Sequence, residues 1–243
     1  MDPRLVELYD LDNPDGPDHD YFRALADQLG ARTIVDLGCG TGLLTVTLAR
    51  PGRRVFGVDP DATMVSFARR RAGGGDVEWV HGDSRAIGAV DADLVVMSGN
   101  VAQAIMGEAW TRTVFDVRRA LRTGGMLAFE SRNPSARAWN QWTRERTYGR
   151  RDTGGGPLIE WMDVIDVGAD GTVTFEAHNV FEASNEHLVY TETLAFRTRD
   201  QLEADLAAAG LEALHVWGGW QHQPVTSDSN LLVFEAVRRS PDV

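Results

Sequence analysis

Residues 34–42 read Ile34-Val-Asp-Leu-Gly-Cys-Gly-Thr-Gly42, an apolar run that enters a loop with glycine at every second position. An apolar run this short, bounded by glycine, predicts a buried strand over 33–37. The pattern beyond it predicts a helix over 42–49. In open α/β sheets a ligand binds beyond the carboxyl ends of the strands, so Gly38, Gly40 and Gly42 stand where a ligand would lie. Without side chains they let the backbone pass close to it. Glycines at this spacing are equally the mark of a tight turn with nothing bound, so the loop alone decides little.

Outward from the loop, short apolar runs alternate with helical patterns, which predicts parallel βαβ units. Further strands are expected over 54–58, 77–80, 93–97 and 126–130. Helices are expected over 20–29, 62–71, 109–121 and 199–209. The pattern changes after Pro134, with a helix expected over 136–146 and a glycine-rich break at 154–157. Three alternating runs follow, over 158–167, 172–183 and 187–197, and predict an antiparallel sheet with one face covered. Strands near 214–217 and 231–237 complete the expectation. The fold class is therefore α/β. A main domain spans 1–133 and 198–243, with 1–30 as a lid, and 134–197 form an insertion that covers substrate or makes a dimer.

Two acidic residues follow the loop at telling places. Asp59 ends the second strand in Val58-Asp59-Pro60, where a carboxylate can accept both hydroxyls of a ribose. It could equally cap the helix that follows. Asp83 follows the third strand in His81-Gly82-Asp83-Ser84, where side chains can reach an adenine edge or simply shape a turn.

Together, Asp36-Leu-Gly-Cys-Gly-Thr-Gly42, Val58-Asp59, Gly82-Asp83 and Leu121-Arg-Thr-Gly-Gly-Met126 resemble the successive motifs of class I S-adenosylmethionine-dependent methyltransferases. The resemblance covers residues 34 to about 133. The glycine spacing and Asp36 differ from a dinucleotide site, although an NAD-dependent oxidoreductase remains an alternative, as does a cofactor-binding regulator without turnover. The resemblance implies a seven-stranded Rossmann-like sheet, S-adenosylmethionine as methyl donor and S-adenosylhomocysteine as product. It implies Asp36, Gly38, Cys39 and Gly40 beside the methionine moiety, Asp59 and Pro60 at the ribose, and Met64, Gly82, Asp83 and Ser84 around the adenine. Ser98, Gly99 and Asn100 would lie near the sulfonium. Cys39 reads as a small loop residue, and Met64 equally as core.

The acceptor side is fainter. A sulfonium is already a strong electrophile, so the protein needs chiefly to align an acceptor and exclude water. No catalytic constellation stands out. Tyr21, Asn100 and His187 are the candidate catalytic groups, and Tyr9, Tyr21, Gln103, Arg132, Trp139 and Trp142 the candidate acceptor contacts. Ser98-Gly-Asn-Val101 lacks the motif of base amino-methyltransferases, and Ser98 and Asn133 stand where a metal-dependent catechol enzyme needs carboxylates. No metal site is expected.

Composition narrows the partners. The net charge of −12 disfavours nucleic acid and acidic membranes. All basic side chains are arginine, which removes lysine as a base or Schiff-base nucleophile. A single cysteine, the lack of any long apolar run, and an opening Met1-Asp-Pro-Arg-Leu unlike a signal peptide predict a cytoplasmic protein. The expected reaction is methyl transfer to O or N of a small molecule, by a chain that could form a homodimer.

Overall fold

The computed structural model describes residues 1–240. The chain opens with two helices, α1 (Pro3–Asp12) and α2 (Pro17–Gln28), each with proline in its first turn, where the missing N–H is not needed. Next come β1 (Thr33–Leu37), a single α-turn α3 (Thr45–Leu48), β2 (Arg54–Asp59), α4 (Ala62–Arg70), β3 (Glu78–His81), β4 (Ala92–Met97), α5 (Val101–Ala104), α6 (Gly107–Ala120) and β5 (Leu121–Arg132). After α7 (Arg144–Thr147) come four strands, β6 (Gly149–Thr153), β7 (Gly156–Val167), β8 (Thr172–Phe181) and β9 (Glu186–Ala195). The chain ends with α8 (Arg199–Ala208), β10 (Leu211–Trp217) and β11 (Leu231–Arg238).

The main sheet has seven strands in the order β10-β11-β5-β4-β1-β2-β3. Pairing is parallel from β5 through β3, and β11 runs antiparallel to both neighbours. The order reverses between β1 and β4, and the crevice at that switch point is where the glycine loop lies. Both faces are covered, which is why these strands read as nearly unbroken apolar runs. Val35, Met97, Phe129 and Phe234 pack with Trp110, Val114, Leu202 and Leu206 on one side. Ile34, Val96 and Val233 pack with Phe22, Leu25 and Leu48 on the other.

Strands β6–β9 form a separate antiparallel sheet. It has one strand more than the sequence patterns predict. Gly149-Arg-Arg-Asp-Thr153 lacks apolar alternation, and β6 is held instead by backbone pairing to β7 and by ion pairs such as Arg150–Glu182 (2.8 Å). The helix expected over 136–146 is also corrected. Arg137 takes a left-handed φ of 46° between two short 3-10 turns. The Trp142 carbonyl then accepts from Val164 N–H (3.2 Å), so the segment bonds to β7 rather than to itself. The helix expected over 42–49 shrinks to α3, because Gly42 keeps a φ of 77° in the turn.

Helix α1 links the two sheets. Leu8 packs with Leu158 and Phe181 of the smaller sheet, and Arg4 pairs with Glu186 (2.8 Å). At its other end Asp10 accepts from Thr41 Oγ1 of the glycine loop (2.6 Å) and pairs with Arg71.

Candidate active site

The glycine loop is bound to the strand beside it. Gly38 and Cys39 N–H groups both donate to the Val58 carbonyl (2.7 and 3.1 Å). Gly38 has a φ of 79°, and a Cβ there would fall 2.4 Å from Val101 Cγ2. Gly40 N–H donates to Asp59 Oδ2 (2.9 Å), and Asp61 N–H to Asp59 Oδ1 (2.8 Å). Asp59 thus shapes the loop as well as ending β2. Burial holds its carboxyl above the usual range, against the pull of those two donors. A carboxylate has about four acceptor positions, so two remain for a ligand's hydroxyls.

Two other carboxyls lie under the same crevice. Asp36 accepts from Thr45 Oγ1 (2.6 Å), and burial pushes it up to about 7. Glu130, on β5, accepts from the Asn100 N–H (2.5 Å) through Oε1, and burial pushes it up to about 7 as well. For both, folding raises the carboxyl above its ordinary value. Each therefore contributes stability that is full below about pH 4 and is lost as pH rises through about 7.

A cavity of about 270 Å³ opens between the loop and the ends of β4 and β5. Tyr9, Gly38, Cys39, Gly40, Ser98, Gly99, Asn100 and Arg132 line it, whereas Asp36 and Asp59 do not. Asp18, His19, Glu130 and Trp220 line it too, and sequence reasoning missed all four. Only Glu130 left a signal, a charge directly after the apolar run Met126-Leu-Ala-Phe129.

A family model described as "Methyltransferase domain" matches residues 34–125. The cypemycin N-terminal methyltransferase of a Streptomyces species is 27% identical over 85% of this chain and 84% of its own length. Among solved structures, the CcbJ methyltransferase of Streptomyces caelestis superposes with a TM-score of 0.81 at 19% identity, covering 98% of this chain and 97% of that one. An amino pentose methyltransferase from Micromonospora echinaspora, solved with S-adenosylmethionine bound, gives 0.68 at 22% identity, with 96% of both chains covered. Residues 34–125 form a methyltransferase domain, and along most of its length the chain resembles S-adenosylmethionine-dependent methyltransferases.

The residues at the crevice fit S-adenosylmethionine. Asp36 Oδ1 and Asn100 Oδ1 are buried acceptor oxygens with no donor from the protein. Buried acceptors left so are costly, and a ligand carrying a sulfonium, an ammonium and hydroxyls supplies the missing positive charge and donors. Among the described residues, no group of three or more His, Cys, Asp or Glu side chains is arranged to hold a metal ion. No described helix is long and apolar enough to cross a membrane.

The adenine-side residues lie outside the cavity, and the Ser84 side chain needs correction. Asp83 caps the turn over 84–86 and pairs with Arg85 (2.7 Å), which holds its carboxyl below the usual range. The Ser84 hydroxyl is turned into the core, donating to Asp116 on α6 (2.8 Å), so its side chain does not face an adenine. Met64 is buried on α4. The Pro60 carbonyl lies 3.0 Å from His81 Nε2, and Gly82 N–H donates to the Asp59 carbonyl (2.9 Å). Cys39 is buried with its thiol pushed up by burial, and no nucleophilic thiolate forms there.

Several acceptor-side candidates are placed elsewhere. Tyr21 donates to Glu235 (2.5 Å), which also accepts from Trp217 Nε1 (3.0 Å). Its phenol is buried and pushed well above the usual range, so it is a structural group and no proton acceptor. Tyr21→Phe is expected to lower stability by about 1–3 kcal/mol while S-adenosylhomocysteine affinity stays within about twofold. Denaturant melts and calorimetry check both, and a lost affinity with unchanged stability would restore Tyr21 to the site. His187 is exposed, 3.1 Å from His178. Strand alternation puts it on the face opposite Leu188, the side that packs toward α1. Trp139 and Trp142 pack on Phe196 (4.5 and 5.9 Å), outside the cavity. Gln103 is buried and accepts from Arg132 Nη1 (3.1 Å), positioning that arginine.

Proposed function

We propose that this methyltransferase transfers the methyl group to a nitrogen or oxygen atom of a small molecule, with nitrogen favoured. The carrying observation is the charge of the cavity: Asp18 and Glu130 line it, and Arg132 is its only arginine among the described residues. A carboxylate-rich cavity suits an acceptor that arrives protonated, as an aliphatic amine does. Residues 134–197 cover the acceptor and α1 acts as a lid. The names of two similar proteins, an N-terminal methyltransferase and an amino pentose methyltransferase, agree with an amine.

When bound, the cofactor supplies an electrophilic methyl group on a sulfonium. The protein's part is to hold and dehydrate the pair. Asp59 holds the ribose hydroxyls. Asp36 and the Gly38, Cys39 and Gly40 backbone take the methionine end, and Ser98, Gly99 and Asn100 flank the sulfonium. Tyr9 closes the crevice from α1, with its Cε1 3.8 Å from where a Gly40 Cβ would stand.

The deciding experiment is S-adenosylhomocysteine release over a panel of small amines, alcohols and phenols. Turnover with amines is expected to exceed that with hydroxyl compounds. Release only with hydroxyl compounds, or only with peptides or nucleic acids, would overturn the reading. The lid has its own test. Asp10→Ala removes the latch to Thr41 and Arg71, and is expected to weaken S-adenosylhomocysteine about fivefold, mostly through faster release. Stopped-flow dissociation measures this, and an unchanged off-rate would mean that α1 does not gate the cofactor.

A further inference from the structure

Glu130 is an expensive residue for its position. It is 1% exposed, in the middle of a sheet where an isolated carboxylate is costly unless it is paired or used. Its one hydrogen bond fixes the turn after β4, where Gly99 and Asn100 both have left-handed φ (73° and 61°). That uses Oε1. Oε2 is buried and has no donor, and the residue borders the cavity next to Ser98, because β5 pairs with β4 at Met97 and Phe129.

The charged and titratable groups around the cavity leave Oε2 free. Arg132 turns to Gln103 (3.1 Å) and lies over the Trp142 ring (5.4 Å to its centroid). From α2, His19 is held by Asp15 (3.1 Å) and Asp18 (3.8 Å). From α1, burial and the nearby Asp59 and Glu192 carboxylates raise the Tyr9 phenol above its usual range. Arg132, His19, Asp18 and Tyr9 make no hydrogen bond to Glu130.

We infer that Glu130 Oε2 faces the methyl-accepting atom, binding an ammonium-type acceptor and taking its proton. This rests on the nitrogen reading above. An ammonium has no lone pair. Glu130 removes one proton and frees it, and the nitrogen then forms the N–C bond as the C–S bond breaks with its electron pair left on sulfur. The products are a methylated ammonium, a neutral thioether and a protonated Glu130, which returns the proton to solvent. Asn100, held by the other oxygen, keeps the carboxyl in place through the step.

The test needs no knowledge of the acceptor. Sinefungin is a cofactor analogue that carries a primary amine where the sulfonium methyl would be. S-adenosylhomocysteine lacks any group there. Calorimetry with both ligands on wild type and Glu130→Gln reads the charge at that point. The glutamine retains an acceptor for the Asn100 N–H. The ratio of sinefungin to S-adenosylhomocysteine affinity is expected to fall about tenfold in the variant, with S-adenosylhomocysteine itself little changed. In wild type the same ratio should fall as pH drops below about 7, because protonation removes the anion; this arm needs no variant to fold. An unchanged ratio, or equal losses for both ligands, overturns the inference, the latter by assigning Glu130 to the methionine end. A ratio that falls while the amine panel gives no turnover leaves the cation site standing and overturns the nitrogen reading instead.

Discussion

Asp59→Ala is expected to weaken S-adenosylhomocysteine binding about 100-fold. Two effects add. The carboxylate that would accept the ribose hydroxyls is lost, and charge-assisted hydrogen bonds of this kind contribute about 1.5–3 kcal/mol each. The Gly40 and Asp61 N–H groups also lose their acceptor (2.9 and 2.8 Å), so the loop must be ordered again on binding. About 3 kcal/mol in total corresponds to about two powers of ten in Kd. Asp59→Asn keeps one acceptor oxygen and should fall between wild type and alanine. Because burial raises the Asp59 carboxyl, affinity should decline as acid protonates it at a higher pH than for an ordinary aspartate. Calorimetry gives the Kd. A value within about threefold of wild type would remove Asp59 from the ribose site.

Gly38→Ala is expected to cause a large loss of stability. The backbone holds φ at 79°, and the new Cβ would stand 2.4 and 2.7 Å from the two Val101 methyl carbons. Left-handed strain costs about 1–2 kcal/mol and overpacking about 1–3 kcal/mol, so about 2–5 kcal/mol is expected. For a chain this long that lowers Tm by about 4–20 °C. Gly52→Ala is the control. Its φ is also 79°, but nothing lies within 4 Å of its Cβ, so it carries the strain alone. Val101→Ala placed on Gly38→Ala should recover the packing part and leave the strain. If the two single alanine variants melt alike, the contact with Val101 is not what makes position 38 a glycine.

The parallel sheet and the glycine loop were legible because their signals are local. A strand buried on both faces must be apolar throughout, and a backbone with positive φ that passes close to a neighbour must be glycine. The same logic failed where hydrogen bonding was decided at a distance. Arg150 and Arg151 carry no strand pattern, yet β6 forms because β7 offers a backbone edge. Residues 136–146 had helical spacing, but the Trp142 carbonyl found a better partner in Val164. Ser84 and Tyr21 were sensible polar candidates until Asp116 and Glu235 came within reach of their hydroxyls.

Residues 34–42 by themselves determined the place of the glycine turn, and with the alternating runs, Asp59 and Asp83 they pointed to the fold class and the kind of ligand, because backbone conformation and strand burial are written in neighbouring residues. They could not show that the loop's shape depends on Asp59, nineteen positions after Gly40, or that Glu130 closes the crevice from a strand two places away in the sheet. Tertiary structure decided those. A carboxylate's partners, its burial and the direction of its free oxygen are set by which strands lie side by side, and no local pattern records that.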